Sequence, residues 1–221
     1  MKQPHVCILQ TSFAKRDDTV AYLKERVPGI RVEFITDSTL LPDIFAAGSP
    51  TQAVIDRMCL YARAAELSGA DLILNSCSTV SEVADIYQKE VSIPVLKIDA
   101  PMARQAASLG TNIALVATAK TTVAPSTRLV ESEGRAIGKT VHVTPFVEGE
   151  AFEALSKGDA ATHNRLLLNR LQALDGEGYD AIVLAQVSMR ALLNDLPPMK
   201  TPVLTSFYSG LDAVAEAFKA L

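Results

Sequence analysis

A chain of 221 residues, 48% hydrophobic and 21% charged, can bury a full core, either as one large domain or as two small lobes. The net charge of −4, with Lys and Arg scattered, offers no basic stripe for nucleic acid, and no apolar run reaches the roughly 18 to 20 residues that cross a bilayer. The polar start lacks a signal-peptide core, and Cys7, Cys59 and Cys77 are odd in number with no CxxC pair, which suits reduced thiols in a cytoplasmic protein. His5, His142 and His163 are isolated, so no metal site is expected.

Along the chain, short apolar runs alternate with longer stretches of helical period, the pattern of a parallel sheet covered by helices on both faces. The fold class is therefore α/β. Strands are expected at residues 6–9, 31–35, 71–74, 95–98, 112–116, 140–143, 181–184 and 203–205, with helices between most of them. Pro28-Gly29, Gly48-Ser49-Pro50 and Pro197-Pro198 punctuate the loops, and Lys15-Arg16-Asp17-Asp18 reads as a solvated face.

The chain also repeats itself. Gly69-Ala-Asp-Leu-Ile-Leu-Asn-Ser-Cys77 aligns with Gly178-Tyr-Asp-Ala-Ile-Val-Leu-Ala-Gln186 at an offset of 186 − 77 = 109. "IPVL" from Ile93 aligns with "TPVL" from Thr201 at 201 − 93 = 108, and "VCILQT" ending at Thr11 with "IALVAT" ending at Thr118 at 118 − 11 = 107. Three matches in the same order at nearly constant offset predict a duplicated half: one lobe from residues 1–98 plus 206–221 and another from 99–205. Ligands of open parallel sheets sit beyond the carboxyl ends of the strands. A cleft between the lobes is therefore expected to be lined by Gln10, Thr11, Ser12, Asn75, Cys77, Ser78 and Thr79 from one half. From the other come Thr118, Lys120, Thr121, Thr122, Gln186 and Ser188. Hydroxyls, amides and one thiol dominate this set, which suits an anion held by neutral donors.

Cys77 is the chemical centre of that list. Thr79-Val-Ser-Glu82 fits a capping box, so Cys77 is expected just before a helix N-terminus, where the dipole and unpaired N–H groups would lower its pKa and favour a reactive thiolate. Cys7, inside a strand, and Cys59, beside Met58, Leu60 and Tyr61 on a helical face, read as packing residues. Lys97, Asp37, Glu148, Phe207 and Tyr208 lie near strand ends, where solvated or packing roles are the default.

With "NSCSTVSE" after one central strand and "LAQVSM" after its counterpart, the chain resembles the aspartate/glutamate/hydantoin racemase superfamily over nearly its whole length. The resemblance implies two Rossmann-like lobes, no cofactor, a small carboxylate substrate and two catalytic cysteines, one in a Cys-Asn-Thr and one in a Gly-Cys-Thr motif. Cys77-Ser78-Thr79 matches the first, and "VATAKTT" to Thr122 resembles the hydroxyl loop that holds a substrate carboxylate. The second motif departs: Ala185-Gln186-Val187-Ser188 stands in its place. Two-base racemisation needs a proton carrier on each face, and an amide is none. Gln186 is expected to hold a carboxylate or enolate oxygen, with Ser188 the remaining candidate proton carrier. The resemblance thus implies an isomerase-type enzyme using Cys77, but not a standard two-cysteine racemase. A one-cysteine decarboxylase, a cis–trans isomerase and a non-catalytic anion-binding protein are the alternatives, and a homo-oligomer is compatible with the resemblance.

Overall fold

All eight expected strands form in the computed structural model, which describes residues 2–12 and 16–221; Lys15 of the charged run lies outside these. In chain order the elements are β1 (His5–Gln10), α1 (Arg16–Arg26), β2 (Arg31–Thr36), α2 (Leu40–Ala47), α3 (Gln52–Leu67), β3 (Leu72–Asn75), α4 (Ala84–Tyr87), β4 (Val95–Lys97) and α5 (Ala100–Leu109). They continue as β5 (Asn112–Ala117), α6 (Lys120–Ala136), β6 (His142–Val147), α7 (Gly149–Ser156), α8 (Ala160–Leu174), β7 (Ala181–Leu184), β8 (Val203–Thr205) and α9 (Ser206–Ala220). The chain divides into two compact units, Met1–Ile98 with Tyr208–Leu221, and Asp99–Phe207. No helix among the described residues is long and apolar enough to cross a membrane.

The first unit holds a parallel sheet of order β2-β1-β3-β4. Its central strands, Val-Cys-Ile-Leu in β1 and Leu-Ile-Leu-Asn in β3, are buried throughout, as parallel strands covered on both faces must be. Leu9, Ile73, Met58, Ala62 and Tyr87 pack together on one face of this sheet. From Tyr208 onward α9 belongs to this unit, where Asp212 accepts from Tyr22 (3.0 Å) and Arg26 (2.7 Å). Gly210 is required by close approach, because a Cβ there would lie 2.4 Å from the Ile98 carbonyl oxygen.

The second unit repeats the plan, with order β6-β5-β7-β8, all parallel. Register repeats as well: Val6 pairs with Leu72 as Ile113 pairs with Ala181, offsets of 113 − 6 = 107 and 181 − 72 = 109. One strand differs from expectation. The edge strand β6 runs from His142 to Val147, further on than residues 140–143, and contains Pro145. β6 pairs only with β5, and a proline without an N–H is tolerated on such an edge.

The recurring Gly-x-Asp has a physical cause. Asp71 accepts the His5 N–H (2.9 Å) at the start of β1, and Asp180 accepts the Thr111 and Asn112 N–H groups (2.8 and 2.9 Å) at the start of β5. In turn the Asp71 N–H donates to His5 and the Asp180 N–H to Asn112, each at 2.8 Å, which fixes the register of each central pair. Gly69 (φ 86°) and Gly178 (φ 84°) supply the left-handed turn before each aspartate. Replacing either glycine by alanine is expected to cost about 1–2 kcal/mol, because an L-residue meets its own carbonyl in that conformation. Urea unfolding of Gly69→Ala and Gly178→Ala measures it.

Candidate functional site

In the first unit the chain leaves β1 through Thr11 and Ser12, and β3 through Ser76 and Cys77. The Ser76 N–H donates to the Leu9 carbonyl (2.9 Å), tying the second loop to the end of β1. Cys77 is extended (φ −135°, ψ 116°) and precedes a 3₁₀ segment, Ser78–Val83. The residue is partly exposed, but its sulfur packs inside. The Thr11 hydroxyl donates to the sulfur at 3.2 Å, and the Thr79 N–H and hydroxyl and the Val80 N–H lie close enough to favour its thiolate. Asn75 Nδ2 donates to the Cys77 carbonyl (3.0 Å), which fixes the peptide that carries the thiol.

The expected lowering of the Cys77 pKa is corrected by the structure. Burial is the largest influence and pushes the thiol above its ordinary value, while the donors from Thr11, Thr79 and Val80 pull it down without reversing the shift. The helix that was to supply a dipole is a 3₁₀ segment broken at Val80 (φ −111°, ψ 19°), followed by a four-residue α4. The capping position falls on Cys77 rather than on Thr79, and the Cys77 side chain makes no capping bond. Cys7 is pushed up to about 12 by burial and then by Glu33, and Cys59 is raised by burial and then Glu90. What distinguishes Cys77 is its converging donors.

A raised pKa means that the folded chain holds the Cys77 proton at pH values where the unfolded chain has released it. The stability this contributes is complete below the unfolded pKa and is lost as pH rises through the folded one. Iodoacetamide labelling of Cys77 is therefore expected to keep accelerating above about pH 10, where a free thiol of pKa about 8.5 has levelled off. Peptide-resolved mass spectrometry of the pH–rate profile checks this; a midpoint below that of a free thiol would contradict it.

Three polar atoms, Gln10 Nε2 at the end of β1 and Asn75 Oδ1 and Ser78 Oγ on either side of Cys77 in sequence, are buried without a partner among the described residues. Each such atom costs about 1–3 kcal/mol unless something pairs with it. A bound polar molecule is what would do so. Ser12, by contrast, is exposed.

In the second unit the geometry repeats around a different side chain. The Ala185 N–H donates to Val116 (3.0 Å), as Ser76 does to Leu9. Gln186 is extended (φ −123°, ψ 136°) before a 3₁₀ segment, Val187–Asn194, and its carbonyl accepts from Met189 (3.0 Å) as that of Cys77 accepts from Val80 (3.2 Å). Gln186 thus occupies the backbone position of Cys77. Its Oε1 accepts the Thr118 N–H and its Nε2 donates to Thr118 Oγ1, both at 2.8 Å. Thr121 Oγ1 is buried without a partner among the described residues, and Thr122 is buried with its N–H on the Ala119 carbonyl (3.1 Å). Ser188 is exposed, and no base among the described residues hydrogen-bonds it.

The remaining candidates are held within their own units. Lys97 pairs with Asp85 (2.6 Å), Phe207 is buried beneath the Arg190 guanidinium (3.9 Å from the ring centroid), and Tyr208 is exposed against Tyr22, with ring centroids 5.2 Å apart. Lys120 is exposed. Asp37 accepts from Thr39, Tyr61 (2.7 Å) and Arg57 (3.2 Å). Burial would raise its carboxyl, but these donors hold it below the usual range. Glu148 accepts from Arg170 (2.5 Å) in the equivalent place. The sequence already pairs Asp37 and Glu148 as the carboxylates after the second strand of each half, but their arginine partners, 57 − 37 = 20 and 170 − 148 = 22 residues later, were not read from it.

These paired halves can be set beside known proteins. No curated protein matches the chain by sequence. Among solved structures, glutamate racemase from Francisella tularensis in complex with D-glutamate is 13% identical, with TM-score 0.75 over 99% of this chain and 82% of that one. A glutamate racemase isoform from Bacillus anthracis is 16% identical, with TM-score 0.74 over 100% and 83%. The Gly74Cys mutant of an arylmalonate decarboxylase, in a sulfate-associated form, is 18% identical, with TM-score 0.63 over 99% and 95%. These likenesses establish a shared α/β fold of two parallel sheets. The Asp/Glu/Hydantoin racemase family model matches residues 9–214, almost the entire chain, and the chain belongs to that family.

Proposed function

We propose that this chain is a cofactor-independent enzyme acting on a small carboxylate, an amino acid, dicarboxylate or hydantoin-like compound, with Cys77 as the reacting thiol. The observation that carries the reading is the Thr11 hydroxyl donating to Cys77 sulfur, with Thr79 and Val80 groups close around it, against an amide at the equivalent place in the other half. Such donors favour the thiolate whenever the proton leaves, so Cys77 can give up a proton and be stabilised afterwards. Gln10, Thr11, Ser12, Asn75, Ser78, Thr79, Thr118, Thr121 and Thr122 are proposed to bind the substrate through neutral donors. Because Gln186 cannot carry a proton and Ser188 has no base beside it among the described residues, proton transfer is proposed from one face only. A cytoplasmic setting, which keeps the thiol reduced, and a homo-oligomeric state belong to the same reading.

The raised thiol pKa favours decarboxylation as a second reading. In that reaction the C–C bond to a carboxylate breaks, CO₂ leaves, and the electron pair stays on the α-carbon as an enolate. The enolate then takes the S–H proton of Cys77, and water restores it. A resting thiol is the form this step needs.

Incubation of the wild type with small dicarboxylates, amino acids and hydantoins in D₂O, followed by NMR, tests the proposal. Deuterium entry at an α-carbon, with or without CO₂ loss, supports it and separates the two readings. A panel left chemically unchanged while still raising Tm would favour the anion-binding alternative.

A further inference from the structure

The Thr118 hydroxyl raises a question of proton direction that the strand-by-strand likeness of the two halves makes sharp. In the first unit the Thr11 hydroxyl donates to Cys77 sulfur, so its single proton is spent. In the second unit the polarity is reversed. The atom 2.8 Å from the Thr118 N–H must be the Gln186 amide oxygen, because an N–H can only donate; the amide nitrogen is then the atom at Thr118 Oγ1, and it donates there. Thr118 Oγ1 therefore accepts from Gln186. Its own proton is left over. Thr118 is 5% exposed, and no acceptor among the described residues takes that proton. A buried hydroxyl proton without an acceptor is unfavourable, and an anionic ligand would supply the acceptor.

We infer that Gln186 is a positioning residue that turns the Thr118 hydroxyl outward as a donor to a bound anion, so that the second unit holds charge and does not move protons. The substitution of an amide for the thiol thus changes the task of two side chains at once. The amide oxygen fixes the Thr118 backbone and the amide nitrogen fixes which way the hydroxyl donates. Thr121, whose Oγ1 is also buried without a partner among the described residues, adds a second donor of the same kind. This inference rests on the proposed carboxylate reading for the identity of the anion, and on hydrogen-bond polarity for the residues.

Malonate is the probe, and its Kd by calorimetry is the readout. Thr118→Val, which keeps shape and loses the hydroxyl, is expected to weaken malonate binding at least tenfold, and Thr118→Ser to restore it. Gln186→Glu is the sharper test. When ionised, the introduced carboxylate accepts from both the Thr118 N–H and the Thr118 hydroxyl, which consumes the outward proton. When protonated, it donates to Thr118 Oγ1 as the amide does. The ratio of variant to wild-type Kd, which cancels the titration of malonate itself, is expected to be at least ten at pH 7.5 and to return toward one as the carboxyl protonates around pH 4–5, near the usual glutamate pKa of about 4.3. A residue 186 remote from the anion would give a ratio independent of pH, and plain charge repulsion would give the same ratio when Gln186→Glu is made in the Thr118→Val background, whereas a lost outward proton adds nothing there. Malonate binding unchanged in Thr118→Val, a pH-independent ratio in Gln186→Glu, or a wild type that does not bind malonate would each overturn the inference. Loss of binding in Thr118→Val with no chemistry in the wild type would leave the inference standing and overturn the proposed enzyme instead.

Discussion

Replacing Cys77 by serine is expected to lower turnover by about 10²- to 10⁴-fold, the share of a rate that a positioned proton carrier supplies. The loss should fall on kcat, with KM little changed, because the neutral donors proposed to bind the carboxylate remain in place. Serine is nearly the same size as cysteine and still accepts from Thr11, Thr79 and Val80, so the fold should lose no more than about 1 kcal/mol. A hydroxyl in that nest is a far weaker acid than a thiol. Steady-state kinetics with urea unfolding of the same variant separates the two effects. Full activity in Cys77→Ser would remove the thiol from the chemistry.

The second large effect concerns stereochemistry. With Cys77 as the proton carrier and an amide at residue 186, a bound amino acid or hydantoin is expected to exchange its α-hydrogen for deuterium with retained configuration. Racemisation should run at least a hundredfold slower than exchange. Returning a proton on the opposite face needs a second acid, and removing such a group from a two-base pair typically costs about 10²-fold or more. Gln186→Cys would place a thiol at the backbone position equivalent to Cys77, where Met189 and Ala185 already repeat the contacts of Val80 and Ser76. That variant is expected to gain racemisation of the same substrate. Chiral chromatography of the deuterated product measures both. Rapid racemisation by the wild type would mean that Ser188 or a water returns the proton.

Why the halves were legible and the thiol's acidity was not follows from what each depends on. The buried central strands are uninterrupted apolar runs, and the Gly-x-Asp before β3 and β7 repeats because each aspartate must bind the first N–H groups of its neighbour. Such local requirements leave their mark in residue types. The edge strand β6 was displaced because Pro145 argues against a strand in its interior, whereas an edge tolerates it. The Cys77 pKa depends on how deeply the thiol packs and on whether the next turn is α or 3₁₀, and both are set by tertiary packing around Val80, Val83 and Tyr87. Gln186 could be seen to lack a proton, but its two-point grip on Thr118 needed the positions of both side chains.

The central claim is that Cys77 reacts with a bound carboxylate. A short pulse of iodoacetamide at pH 9, with and without saturating malonate, followed by peptide mass spectrometry, tests it most directly. Cys77 is expected to be labelled in the free protein and protected at least tenfold by malonate. Cys59, half-buried elsewhere in the first unit, should label at the same rate in both, and the buried Cys7 should stay unlabelled. Labelling of Cys77 at an unchanged rate under saturating malonate would contradict the account.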